Sequence, residues 1–87
     1  MHAVLVQVTV NEPEAATSQL RDQVVPQVSQ SPGFVTGYWV RLPGNTGKSI
    51  VVFDTEENAQ AAAERAAGMG EFVTFDSVEV GEVVANA

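Results

Sequence analysis

The sequence predicts an α+β fold: a four-stranded antiparallel sheet with two helices on one face, in the ferredoxin-like order β-α-β-β-α-β. Three observations lead there. Val4, Val6, Val8 and Val10 alternate with Ala3, Leu5, Gln7 and Thr9, the period-two pattern of a strand. Ala16, Leu20, Val24 and Val28 recur every four residues, as one stripe of a helix would. "PGNTG" then separates two apolar runs in the manner of a hairpin loop.

Each element has its own local signals. The first strand runs from His2 to Val10, and "NEPE" opens the helix after it. Asn11 suits an N-cap, Pro13 a first turn, and Glu14 stands three residues after the cap, as in a capping box. Pro26 falls inside this helix and is expected to kink it or end its regular part early. Pro32-Gly33 is a turn signal. Phe34 to Leu42 follows as a strand with Tyr38 and Trp39 on opposite faces, and Lys48 to Phe53 is its returning partner.

Gly44 and Gly47 are the expected positive-φ residues of that hairpin. Asp54 or Thr55 caps the second helix, with Glu56 and Glu57 in its first turn, where the helix dipole favours negative charge. Ala59, Ala62, Ala63, Ala66 and Ala67 form its apolar stripe, and Gly68 is the expected stop. "EFVTFDSVEVGEVVA" is the last strand, with a bulge or bend expected at Gly81.

Strict alternation leaves large apolar residues on both faces of this sheet. Leu5 opposes the valine face, Ile50 and Val52 oppose Val51 and Phe53, and Val73 and Phe75 oppose Phe72, Val78 and Val80. Whichever set lies under the helices, the other is an apolar patch of the kind that marks an interaction surface. A second copy packed face to face through a two-fold axis is the simplest cover. On this reading a charge at Phe53 or Phe75 dissociates or unfolds the dimer.

Bulk composition narrows the rest. At 87 residues the chain is one domain, 1–87, and a chain this short buries only about 60–65% of the surface it exposes unfolded. It has no cysteine, hence neither a disulfide nor a thiolate metal site to support a small core. Eleven acidic and four basic residues give a formal charge of −7, and the scattered cations argue against binding nucleic acid. "MHAVLVQVTV" has no basic n-region, and no apolar stretch approaches the ~20 residues of a membrane span. A cytoplasmic protein with no membrane partner is expected.

The order of elements, with "VVPQVSQSPGFVTGYWV" and "SIVVFDTEENAQAA", resembles the dimeric α/β-barrel superfamily, which includes antibiotic-biosynthesis-type monooxygenase domains. The resemblance spans essentially the whole chain and implies a homodimer whose two sheets form a shared barrel. Members include cofactor-free monooxygenases of quinone-type substrates, haem-degrading enzymes and lactone isomerases. The haem-degrading members carry a haem-binding His on a helix. Here the sole histidine is His2, on the first strand, so that site does not carry over. No cofactor or metal is expected.

Five residues are candidates for a ligand pocket between sheet and helices: Gln7, Thr9, Tyr38, Trp39 and Arg41. Polar groups inside strands need partners, and a ligand site needs a few convergent polar groups among apolar ones. The same residues also read as structure, with Trp39 or Tyr38 in the core and the other at the dimer interface. "PGNTGK" joins two strands and lacks the spacing of a phosphate-binding loop. Two functions follow. One is a small homodimer, with no reaction assigned by the sequence, that binds a small apolar molecule. The alternative is a cofactor-independent monooxygenase or isomerase acting on an aromatic, polyketide-like substrate, with an acid/base group among His2, Tyr38 and Arg41.

Overall fold

The computed structural model describes residues 1–66 and 73–87, and the expected order of elements is present. Strands β1 (His2–Val10), β2 (Phe34–Leu42), β3 (Thr46–Phe53) and β4 (Val73–Glu82) form one antiparallel sheet in the order β2-β3-β1-β4. Strand β1 is central and pairs with β3 and β4, while β2 lies at the edge beyond β3. A helical rod of three consecutive segments and α3 (Glu56–Ala66) cover one face. Expectations placed on Ala67, Gly68 and Phe72 lie outside the described residues.

The rod between β1 and β2 departs from the expected regular helix. It begins as α1 (Pro13–Gln19), passes through a π-helical segment (Leu20–Val24), and ends as α2 (Val25–Ser29). The Val25 N–H donates to the carbonyl of Leu20, the i→i−5 bond of a π turn. Pro26 supplies the reason. It has no N–H for the carbonyl four residues back, and its ring crowds that carbonyl, so a wider turn relieves both faults without ending the helix.

The N-terminus of α1 also differs. Glu12, not Asn11, is the cap residue, and no side chain caps it. The Asn11 amide instead donates to Thr74 Oγ1 at 3.1 Å, tying the chain to β4. At α3 the expected cap is made: the backbone N–H of Asn58 donates to Thr55 Oγ1 at 3.2 Å.

Two register features decide which residues share a face. Gln7 pairs with Ser77 but Val8 pairs with Phe75, so Asp76 is the extra residue of a bulge. The bulge brings Val73, Phe75, Val78 and Val80 onto the helix side together, where strict alternation would divide them. It sits at Asp76, five residues before the expected Gly81, and Thr9 Oγ1 donates to Asp76 Oδ2 at 2.8 Å there. In β2 a second irregularity sets Val35 out of register, between Phe34 opposite Phe53 and Thr36 opposite Val52.

The hairpin is tighter than expected, because β3 begins at Thr46 and Gly47 lies within the strand. The left-handed residues are Gly44 (φ 82°) and Asn45 (φ 61°), asparagine being one of the few other residues that tolerate this region.

The buried core is thin: Ala3, Val4, Val51, Phe53 and Ala59. Phe53 and Ala59 are both fully removed from solvent, and the Phe34 ring meets Phe53 edge-on at 6.3 Å and 79°. Phe53 and Phe75 thus face the helices, so charging them breaks the core and not an outer sheet surface. That outer face carries Leu5, Ile50 and Tyr38 in one cross-strand row, with Val40 beside it, 42%, 47%, 66% and 51% exposed. On β4 it is polar, with Thr74, Ser77 and Glu79. The apolar patch is therefore narrower than strict alternation implies.

Truncating Phe53 to alanine removes the one large side chain at the centre of this core. We expect a loss of about 3–5 kcal/mol, seen as a large fall in the urea midpoint. The same truncation at exposed Ile50 is expected to cost the isolated chain far less.

Candidate functional site

Between the sheet and the helical rod lies a cavity of about 200 Å³. The valines of β1, with Val51, Phe53 and Trp39, form its floor. Ala16, Leu20, Val24 and Val28 form its roof, and Ala62 and Ala66 of α3 one wall. Val73 and Phe75 close the β4 side.

The roof depends on the π turn. Four residues of an ordinary helix overshoot a full turn by about 40°, so a repeat of four drifts around the rod. A wider turn takes up that drift. It keeps Ala16, Leu20, Val24 and Val28 turned to one cavity, which a regular helix of this sequence would do less well.

Trp39 and Arg41 are brought together at this cavity, on the helix side of β2 opposite Ser49 and Gly47. Glycines make the room they occupy. A Cβ on Gly37 would stand 2.9 Å from Cη2 of Trp39, so the indole lies against bare backbone. A Cβ on Gly47 would stand 3.0 Å from Cγ2 of Val8, at the floor beside Arg41. The Arg41 guanidinium donates through Nη2 to Thr17 Oγ1 and joins the edge strand to α1.

The structure places Gln7, Thr9 and Tyr38 on the opposite face of the sheet. Gln7 and Thr9 alternate with the cavity-lining valines, and Tyr38 precedes Trp39, so period two turns all three away. Thr9 is engaged with Asp76 at the bulge. His2 does not line the cavity either. Its Nε2 lies 3.5 Å from Glu56 Oε2, and its Nδ1 is buried with no hydrogen-bond partner among the described residues.

Sequence reasoning missed Thr17, Gln19 and Ser49, polar residues around the cavity, and Lys48, which borders it although strand alternation turns its side chain to the outer face. The signal for Thr17 and Gln19 was their position beside Ala16 and Leu20 on the stripe. For Ser49 it was the alternation with Val51 and Phe53.

Among the described residues that line the cavity there is no carboxylate, imidazole or phenol, and Arg41 is the charged group that strand alternation turns towards it. Guanidinium does not give up its proton in proteins, so Arg41 donates hydrogen bonds and cannot serve as a base. The lining can hold an apolar body and orient a polar group. It offers no side chain to abstract a proton.

This architecture is found in solved proteins. No protein-family model matches the chain, and no curated protein matches it in sequence. HapK from Hahella chejuensis superposes with a TM-score of 0.78 at 9% identity, over 100% of this chain and 96% of its own. SnoaB, a cofactor-independent oxygenase from Streptomyces nogalater, gives 0.76 at 15% identity, over 98% of this chain and 94% of its own. An ethyl tert-butyl ether D (EthD) family protein from Bacillus halodurans gives 0.65 at 14%, over 97% and 100%. The shared fold is the ferredoxin-like β-α-β-β-α-β arrangement, one four-stranded antiparallel sheet with its helices on one face. At these identities the likeness is one of fold alone.

Gly37→Ala tests the seating of Trp39, the sole tryptophan. The added methyl meets the indole, and we expect the emission maximum to move to longer wavelength while far-ultraviolet dichroism stays unchanged.

Proposed function

We propose that this protein is a homodimer that binds a small, mainly apolar molecule in the cavity between sheet and helices. The observation that carries the reading is the lining itself: an apolar space roofed by a deliberately irregular helix, with Trp39 and Arg41 at one side. An apolar cavity of about 150 Å³ accommodates benzene. At about 200 Å³, this one suits a single substituted ring or a short branched chain.

The homodimer rests on the outer sheet face. The row Leu5, Ile50 and Tyr38 with neighbouring Val40 is an apolar patch with a cation, Lys48, and a carboxylate, Glu79, on the same face. A two-fold contact presents every such residue twice, so the patch is covered by itself and the two signs of charge can be matched. Fully burying a Leu or Ile side chain is worth about 1.5–3 kcal/mol, and these are already half covered, so each adds roughly half that range.

A cofactor-independent oxygenase is the second reading, favoured by the likeness to SnoaB over almost the full length of both chains. It would require a substrate acidic enough to lose its proton to water, because the lining has no base.

Native mass spectrometry tests the dimer, and Trp39 fluorescence tests the binding. We expect a two-chain mass for the natural protein and a one-chain mass for a Leu5→Glu, Ile50→Lys variant. A single-chain mass for the natural protein at micromolar concentration would refute the dimer. Quenching of Trp39 emission by small nitroaromatics, abolished by filling the cavity with Gly47→Val, is the expected sign of binding.

A further inference from the structure

We propose that the cavity selects anionic ligands, specifically small apolar carboxylates, with Arg41 as the anchor for the charged group. The inference rests on the ligand-binding reading above and names the class of molecule that the site takes.

The chain carries eleven acidic residues against four basic ones. A lining drawn without regard to charge would hold carboxylates nearly three times as often as cations. This one has no carboxylate among its described lining residues. The cavity thus differs from the acidic composition of the chain, and an anion within it meets no like charge among those residues.

Arg41 is also free to bind. Among the described residues its side-chain partner is one neutral hydroxyl, Thr17 Oγ1, and no carboxylate lies within ion-pair distance. A guanidinium has five N–H donors in a planar fork, so most are uncommitted, and the fork matches a carboxylate in two parallel bonds. Its cross-strand neighbour is Gly47, which has no side chain to fill the space beside it.

Arg41 is exposed to solvent as well as lining the cavity, so the cationic end is a mouth and the valine floor leads inwards. A ligand with its ring against Val6, Val8 and Trp39 and its carboxylate at Arg41 satisfies both ends. Thr17 and Ser49 supply further hydroxyl donors along the way. A neutral isostere gains only the apolar part.

Calorimetric titration with a matched pair, benzoate and benzyl alcohol, tests the assignment at low salt. We expect benzoate to bind the natural protein at least about tenfold more tightly, the scale of a charge-assisted hydrogen bond. In Arg41→Gln that preference should fall to near one while the affinity for benzyl alcohol is unchanged, and Arg41→Lys should restore part of it. Equal binding of the two ligands by the natural protein, or a preference that survives Arg41→Gln, overturns the anionic selectivity and leaves the cavity reading in place. If neither ligand binds and neither quenches Trp39, the cavity reading falls and this inference with it. Dichroism on each variant confirms that it is folded.

Discussion

The contact between Phe53 and Ala59 holds the two layers together. Among the described residues Phe53 is the one large side chain wholly out of water, and Ala59, equally buried, lets α3 approach the sheet to the length of a methyl group. Val4 and Val51 complete that cluster, with Phe34 edge-on at its rim. A helix with larger residues on its inner stripe would stand further off, and Phe53 would lose its cover. Elsewhere the layers are less tightly closed. The alanines that seat α3 fill little volume, and the rod carrying Leu20, Val24 and Val28 arches over what remains. The cavity follows from this division of labour: one helix packs closely and the other spans.

Spanning is what the π turn permits. A proline in mid-helix ordinarily costs about 3 kcal/mol or more, through a lost hydrogen bond and a clash. Here the widened turn before Pro26 takes up the fault, and Leu20 and Val24, both within it, line the cavity roof. The segment's Val25 N–H reaches the Leu20 carbonyl, one residue beyond the ordinary helical partner. A ligand beneath it would add contacts to Leu20 and Val24, which face the cavity.

Much of this was legible from residue patterns, and the failures have physical causes. The bounds of β1 and β2 follow from alternation, and a cap at Asp54 or Thr55 from the two glutamates after it, the structure choosing Thr55. The bulge at Asp76 did not emerge, because alternation alone cannot distinguish an extra residue from a change of face. The clue was that Phe75 and Val78 are out of phase in a strand that has to bury both. Asn11 looked like a cap, yet its amide is engaged by Thr74 from the other end of the chain, a partner local rules cannot see. In the candidate site, residues of β1 and β2 were chosen without their parity. Trp39 and Arg41 share a face, Tyr38 belongs to the other, and Gln7 and Thr9 lie opposite the valines that form the floor. Once β1's valines are known to lie under the helices, the register assigns all five.

The chemistry of the cavity then constrains function more sharply than the fold does. A site that abstracts protons needs a group of suitable basicity within reach of the reacting atom. Among the described lining residues whose side chains face it there are a guanidinium, an amide and hydroxyls, but no base, Lys48 being turned to the outer face. Such a set favours a molecule that arrives already anionic, or one whose proton is lost to water as the anion gains Arg41. In the first case the protein binds and releases its ligand unchanged. In the second, the same contact lowers the energy of a developing anion, and electrostatic stabilisation of that kind is often the largest contribution to catalysis. Both cases depend on one cation in a chain of net charge −7. An acidic surface repels anions at long range, and salt screens that repulsion beyond about 10 Å at 0.1 M, whereas the contact at Arg41 is close and partly shielded. Association with an anion should therefore quicken as salt is raised to moderate levels, before screening begins to weaken the anchored complex.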